Sequence, residues 1–289
     1  MSCHLYSQVT HRSSLNPQPS SLFPNLMRII FKTTLLPREV RRGTSLTVRV
    51  TDDQPVFGIL KADLADGHTS VTVDWGDGTV EPLPGIDSVT HTYAKAGTYC
   101  VTLSDDIASF GISTTGTSPF CSIYAKCLLE AESNAANLTT ILRGGFRMAE
   151  NLSRIALEDS SVTLIDQAAF MSCTSLVTTA GLPRGLTEIG SAAYNKCTGL
   201  TRIVDLPTGL TTLNSNVFRE CTGLSGRIDL PMITNILGAA TVVPFVLCSG
   251  GITEFHFRSA NESAIRASAG FNADNTLGTG TAICKFDLP

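Results

Sequence analysis

The chain has 289 residues, of which 43% are hydrophobic and 16% charged, with a net charge of −4. That length accommodates about two ordinary domains, and the balance excludes a wholly disordered chain. The charge gives no whole-chain bias toward nucleic acid, and no apolar run approaches the ~20 residues that span a bilayer.

Residues 1–26 are polar, with Ser, Pro, Gln and Asn mixed in. They lack the basic-then-apolar order of a secretory signal. Met27 opens a more structured stretch running to Leu36. Two readings stay open: an N-terminal tail, or an upstream extension with Met27 as the start.

From residue 28 to 106 the pattern is short and alternating. Ser45 to Val50, Ser70 to Trp75, and Thr98 to Leu103 each alternate, the last placing Tyr99, Val101 and Leu103 on one face. Period two predicts half-buried antiparallel strands. Turn signals at Gly76-Asp77-Gly78, Pro82 to Gly85, and Ala96-Gly97 separate them. The expectation is a β-sandwich over residues 27–110, with Trp75, Tyr99, Val101 and Leu103 buried.

The second half repeats. Cys173-Thr-Ser-Leu176, Cys197-Thr-Gly-Leu200 and Cys221-Thr-Gly-Leu224 recur every 24 residues, each with an aromatic three residues earlier: Phe170, Tyr194 and Phe218. One period before stand Phe146, Ala149 and Leu152. Leu138, Val162, Leu186 and Leu210 form another column, as do Ile141, Ile165, Ile189 and Leu213, and the Leu-Pro pairs at 182, 206 and 230. After Leu224 the phase slips, and Phe245, Cys248 and Ile252 resume it. A period in this range predicts a leucine-rich-repeat solenoid, here over residues 111–258, in which each coil buries its apolar side against the next.

Residues 259–289 break the pattern and predict a C-terminal cap. Ser259 and Glu262 have capping-box spacing, Ala264 to Ala269 reads as a short helix closed by Gly270, and Thr281 to Phe286 alternates as a last strand.

Few residues suggest chemistry. The 24-residue step puts Cys173, Cys197, Cys221 and Cys248 on successive coils pointing the same way. That suits small buried hydrophobes better than a zinc site, whose ligands converge, or disulfides, whose Cβ vectors must face. Nine cysteines with this spacing therefore predict a reduced core rather than a disulfide framework. Asp74 and Asp77 flank a turn where calcium is conceivable, but two carboxylates without a third fit better a turn in which Asp77 bonds its own backbone. His91 reads as a structural strand-edge residue. No His-Glu-x-x-His, phosphate loop, dinucleotide fingerprint or Gly-x-Ser-x-Gly elbow is present. The expectation is no catalytic residue, no cofactor and no metal.

Two resemblances can be named from these residues. Val73-Asp-Trp-Gly-Asp-Gly-Thr79, followed by His91-Thr-Tyr93 and Gly97-Thr-Tyr-Cys-Val-Thr-Leu103, resembles the PKD domain, over roughly residues 45–106. One residue is missing between Trp75 and the turn, and Cys100 replaces the usual Thr or Val. Leu182-Pro-Arg-Gly-Leu-Thr-Glu-Ile-Gly-Ser-Ala-Ala-Tyr-Asn-Lys-Cys-Thr-Gly-Leu200 is similar to the BspA-like leucine-rich repeats of bacterial surface proteins, a resemblance covering about residues 128–258. Together they imply a mainly β chain: an immunoglobulin-like sandwich, then a short right-handed solenoid with a cap. They imply adhesion or recognition without catalysis.

The expected binding surface is the row of strand residues between the buried columns: Arg154, Thr178, Arg202, Asp205, Arg227, Asp229, Glu254 and His256. The expected partner is a protein or glycan on a cell surface, or other virion proteins, with no nucleic acid and no membrane insertion. Modules of extracellular type without a visible signal or anchor, and cysteines suited to a reducing cytosol, lead to the expectation of a virion-associated protein of a phage tail or capsid appendage. A bacterial cell-surface adhesin, a purely structural virion decoration protein, and an accessory module of a hydrolase are the alternatives, the last weakened by the lack of a catalytic domain.

Overall fold

The computed structural model describes residues 42–113, 119–204, 206–230, 232–238, 242–249, 251–268, 271, 277, 279 and 282–287. Both readings of residues 1–26, and Gly270 as a helix stop, lie outside them. Seven strands come first: β1 (Gly43–Val50), β2 (Val56–Leu64), β3 (Val71–Asp74), β4 (Val80–Leu83), β5 (Ile86–Thr92), β6 (Gly97–Ser104) and β7 (Ile107–Gly111). A helix, α1 (Pro119–Cys127), leads into β8 (Leu128–Ser133). The coils then carry short strands: β9 (Thr140–Ile141), β10 (Arg154–Ala156), β11 (Leu164–Ile165), β12 (Glu188–Ile189), β13 (Thr212–Leu213), β14 (Gly226–Asp229), β15 (Asn235–Ile236) and β16 (Ile252–Arg258). A 3-10 turn, the short helix α2 (Glu262–Ala267) and β17 (Ile283–Asp287) follow.

Strands β1 to β7 divide between two sheets. The first runs β10-β8-β1-β6-β3-β4 and the second β12-β11-β9-β7-β2-β5. Alternation decides what each contributes to the interior. Leu46, Val48 and Val50 of β1, Val71 and Val73 of β3, and Val101 and Leu103 of β6 are buried, as are Phe57 and Ile59 of β2 and Ile107 and Phe110 of β7, all in one apolar cluster. Trp75 lies fully buried in it. Its indole N–H is not stranded there, because it donates to Glu81 at 2.6 Å, and the Tyr93 hydroxyl donates to the Trp75 carbonyl at 3.0 Å.

Tyr99 differs from expectation: it is only half-buried. Its ring stacks on Tyr93 at 4.2 Å, and its hydroxyl donates to the Lys95 carbonyl at the margin of the sheet. Pro82, expected in a turn, lies within β4. That strand is the outer member of its sheet, where a missing N–H costs no ladder bond. The turn falls just after it, where Gly85 has φ +134°.

The coils grow directly out of both sheets. β8 pairs antiparallel with β1 on one side and parallel with β10 on the other. β9 pairs parallel with β7 and with β11. Each early coil thus supplies one short strand to each sheet. Its third side is a run of turns bonded coil to coil, as in Phe146 N–H to Ala169 O and Phe170 N–H to Ala193 O. Here the backbone takes left-handed φ at non-glycine residues in successive coils: Met148, Ser172, Lys196, Glu220 and Leu247.

Two of the predicted columns are buried throughout: Leu138, Val162, Leu186 and Leu210 fill one, and Ile141, Ile165, Ile189 and Leu213 another. In the Leu-Pro column Leu182 and Leu230 are buried and Leu206 only partly so. The aromatic column is a ring stack that starts outside the coils. Phe110 of β7 meets Phe146 edge-on at 5.8 Å. Phe146, Phe170, Tyr194, Phe218 and Phe245 then stack at 5.1, 5.2, 5.5 and 5.3 Å, and Phe255 of β16 closes the series at 4.6 Å. Such aromatic pairs contribute about 0.5–1.5 kcal/mol each beyond their buried area.

The C-terminal cap departs in detail from the sequence reading. The capping box does not form: α2 begins at Glu262, its N-cap is Asn261, and no side chain caps it. Asn261 instead donates from Nδ2 to the Ile233 carbonyl, tying the helix start to the last coil. β17 starts two residues later and ends one residue later than the predicted strand, and it pairs parallel with β16.

Candidate functional site

The predicted row begins on β10, where Ile155 points inward and Arg154 and Ala156 face the other way. Arg154 donates from Nη1 to the buried carboxylate of Glu132 on the neighbouring β8. On this side of the next coils the described residues form no strand, and Thr178 and Arg202 meet in an isolated parallel bridge. Regular pairing resumes at β14, where Arg227 lies beside Glu254 and Asp229 beside His256. His256 is in turn beside Lys285 of β17. The structure therefore brings seven of the eight predicted residues onto the strand sites of successive coils. Asp205 lies outside the described residues.

The cap end of this row is densely charged. Arg227 donates from Nε to Asp229 at 2.6 Å. Glu254 accepts from Lys285 and stands 3.1 Å from Nε2 of His256. The Lys285 ammonium, and after it His256, hold the Glu254 carboxyl below the usual carboxylate range. His256 is buried, at 7% exposure, so it shapes this surface from beneath more than it presents itself. Lys285 belongs to the same cluster and was missed, because β17 gives no repeat column by which to align it.

The strand interruption has a second effect that no periodicity announces. Two adjoining hollows, of about 420 and 260 Å³, open between β10 and the Thr178–Arg202 bridge and run toward the Leu-Pro turns. Glu158 and Gly181 line both.

The other candidates resolve into structure. Asp77 accepts the Thr79 N–H at 3.0 Å and lies 2.7 Å from Nε2 of His91, while Asp74 accepts the Gly76 N–H at 2.9 Å. His91 stacks on Trp75 with ring centroids 5.0 Å apart. Its partnership with Asp77 holds that carboxyl below its ordinary range. Among the described residues no group of three or more His, Cys, Asp or Glu is placed to hold a metal.

Cys173, Cys197, Cys221 and Cys248 are free and buried. Each thiol donates to a backbone carbonyl on the preceding coil, at 3.2, 3.1, 3.0 and 2.9 Å in order. Burial pushes the first three well above the ordinary thiol range, and Cys248 up to about 12. They are neither nucleophiles nor ready metal ligands, since both roles need the thiolate. Cys100 is a correction to the expectation of a wholly reduced chain: it is disulfide-bonded. It lies on β6, outside the repeat, where the 24-residue argument does not govern its neighbours.

Stacked short strands, a buried leucine and aromatic core and very little helix define a β-solenoid of leucine-rich-repeat type. Residues 117–240 match the BspA type leucine rich repeat region, in six copies. The match does not reach β1 to β7. No curated protein matches the chain. The chain is similar to several solved structures, three of which follow. A leucine-rich repeat protein of T. pallidum is 22% identical, over 52% of this chain and 72% of that one, with a TM-score of 0.35. A leucine rich cell surface protein of Faecalibacterium prausnitzii is 16% identical over 58% and 67%, with a TM-score of 0.29. A leucine-rich repeat protein of Bacteroides ovatus is 17% identical over 65% and 70%, with a TM-score of 0.30. Among the described residues no helix is long and apolar enough to cross a membrane.

Proposed function

We propose that the chain is a non-enzymatic adhesion protein that binds a protein partner along the strand row of its solenoid. The observation that carries this reading is the row itself, with Arg154, Thr178, Arg202, Arg227, Asp229 and Glu254 displayed from stacked coils. Repetition of one backbone geometry lets side chains vary without disturbing the core, which is how solenoids build extended recognition surfaces. In this reading residues 27–110 form a PKD-like, immunoglobulin-like unit that starts the stack, residues 111–258 carry the recognition row, and residues 259–289 cap it.

The location we favour is a bacterial cell surface. BspA-type repeats support it, and so does the Cys100 disulfide, because such bonds persist in oxidising surroundings and are rare in a reducing cytosol. That disulfide weakens one of the two grounds for the virion reading, the thiols kept reduced during cytosolic folding. Virion decoration and glycan binding stand as alternatives for the same row.

The test is binding to arrays of host-surface proteins and glycans by the intact chain and by Arg227→Glu and Glu254→Lys. Each charge reversal should weaken capture of a protein target by roughly tenfold or more, while Asp52→Asn, on an exposed turn, leaves it unchanged. Equal capture by all four would remove the row from the function. Fractionation separates the locations: recovery on the envelope of intact cells supports the adhesin, and recovery only on particles supports the virion.

A further inference from the structure

The hollows beside Glu158 have a chemistry of their own. The larger has an apolar wall of Leu182, Leu206 and Pro207. Gly181 lines it where the backbones of two coils approach closely: its φ is +88° and a Cβ there would meet the Ile155 carbonyl oxygen at 2.2 Å. Glu158 lines both hollows, and its Oε2 is buried without a hydrogen-bond partner. The side chain as a whole is half-buried, so rotation about its own bonds turns that oxygen toward an arriving donor. Arg184, the cation at the rim, is 81% exposed and lies 3.8 Å from Asp159, which offsets its charge.

An apolar channel beside an unmet carboxylate is the complement of a long aliphatic stem ending in a cation. We propose that this hollow receives a lysine side chain presented by the partner protein, with its methylenes against Leu182, Leu206 and Pro207 and its ammonium donating to Glu158. A compact ammonium can donate to one carboxylate oxygen, here the unpartnered Oε2, whereas the planar fork of arginine is matched by two at once. The assignment rests on the reading of the solenoid as a protein-binding surface, and it names the chemistry of one contact within that surface.

The experiment titrates the full chain, followed by amide NMR, with Nα-acetyl-lysine methylamide and with its norleucine counterpart, which has the stem but no amine. The lysine probe should shift the Gly181 and Leu206 signals and bind about tenfold more tightly than norleucine. Glu158→Gln should remove that tenfold preference and leave the norleucine response alone. Arg184→Glu, at an exposed position with little bearing on folding, should tighten lysine binding a few-fold. Equal affinity for the two probes, shifts elsewhere on the chain, no response to lysine, or saturation of the same signals by a methyl glycoside in place of lysine would each overturn the assignment. If the lysine probe fails while Arg227→Glu still abolishes partner capture, only the hollow is misassigned. If it binds while the row variants capture normally, the row is at fault and the hollow stands.

Discussion

Tyr194 is the one tyrosine in a column of phenylalanines, and its hydroxyl is buried with no hydrogen-bond partner. An unmet buried hydroxyl costs about 1–3 kcal/mol, so Tyr194→Phe should leave stability unchanged or raise it by ~1 kcal/mol. A rise in the urea midpoint checks this, and a clear fall would mean the hydroxyl has a partner. The cysteines beside it predict a chemical outcome. Buried thiols with raised pKa values should resist iodoacetamide in the native protein and react only on unfolding, as read by mass spectrometry. Three carboxylates act in the opposite sense: Asp77 beside His91, Asp63 beside the Ser109 hydroxyl and Glu254 beside Lys285 are all held below their ordinary values. A folded-state pKa that is depressed contributes stability above the unfolded value of about 4, and the contribution is lost as pH falls through the folded value. Melting temperature should therefore drop as the solution is taken below about pH 4, and less steeply in Asp77→Asn.

The coil is the next scale. Gly199 and Gly223 occupy the same column, and a Cβ there would meet Thr174 O at 2.2 Å or Thr198 O at 2.6 Å. Gly199→Ala should destabilise by about 1–3 kcal/mol in a denaturant melt, through overpacking against fixed backbone. At the left-handed positions the sign reverses. Lys196, with φ 62°, carries a side chain in a conformation that disfavours one, so Lys196→Gly should be neutral or stabilising despite the extra freedom it gives the unfolded chain. What could be read in advance followed the same division. The buried columns were legible because each recurs at least three times at a fixed step, and strands β1, β3 and β6 because they alternate. β2 was not, since Val56-Phe-Gly-Ile-Leu-Lys-Ala-Asp-Leu64 runs apolar residues together. α1 lies between two grammars and follows neither. The recognition row was legible as an offset from the columns, whereas the hollow was not. It lies where strand pairing shrinks to the single Thr178–Arg202 bridge, beside a glycine whose backbone approaches Ile155.

At the scale of the whole molecule, the change of pattern near residue 111 suggests a border, yet backbone hydrogen bonds cross it in both sheets. Such bonds need no particular side chain, so composition cannot announce them. The antiparallel strands and the coils should consequently unfold together. Trp75 is the only tryptophan and reports on the antiparallel part, while the repeats contribute the far-ultraviolet signal of the remainder. Their denaturation curves should coincide, and separated midpoints would show that the pairing of β1 with β8 and of β7 with β9 does not couple the two parts. The ring stack from Phe110 to Phe255 also fixes the distances along the recognition surface. Neighbouring strands are ~4.8 Å apart, so removing one 24-residue repeat should draw Glu254 toward the Glu158 hollow by about that step, with each end of the stack left intact. The solenoid is in this sense a ruler graduated in coils. Insertion or deletion of a repeat would select partners by the spacing of their charges before any contacting side chain had changed.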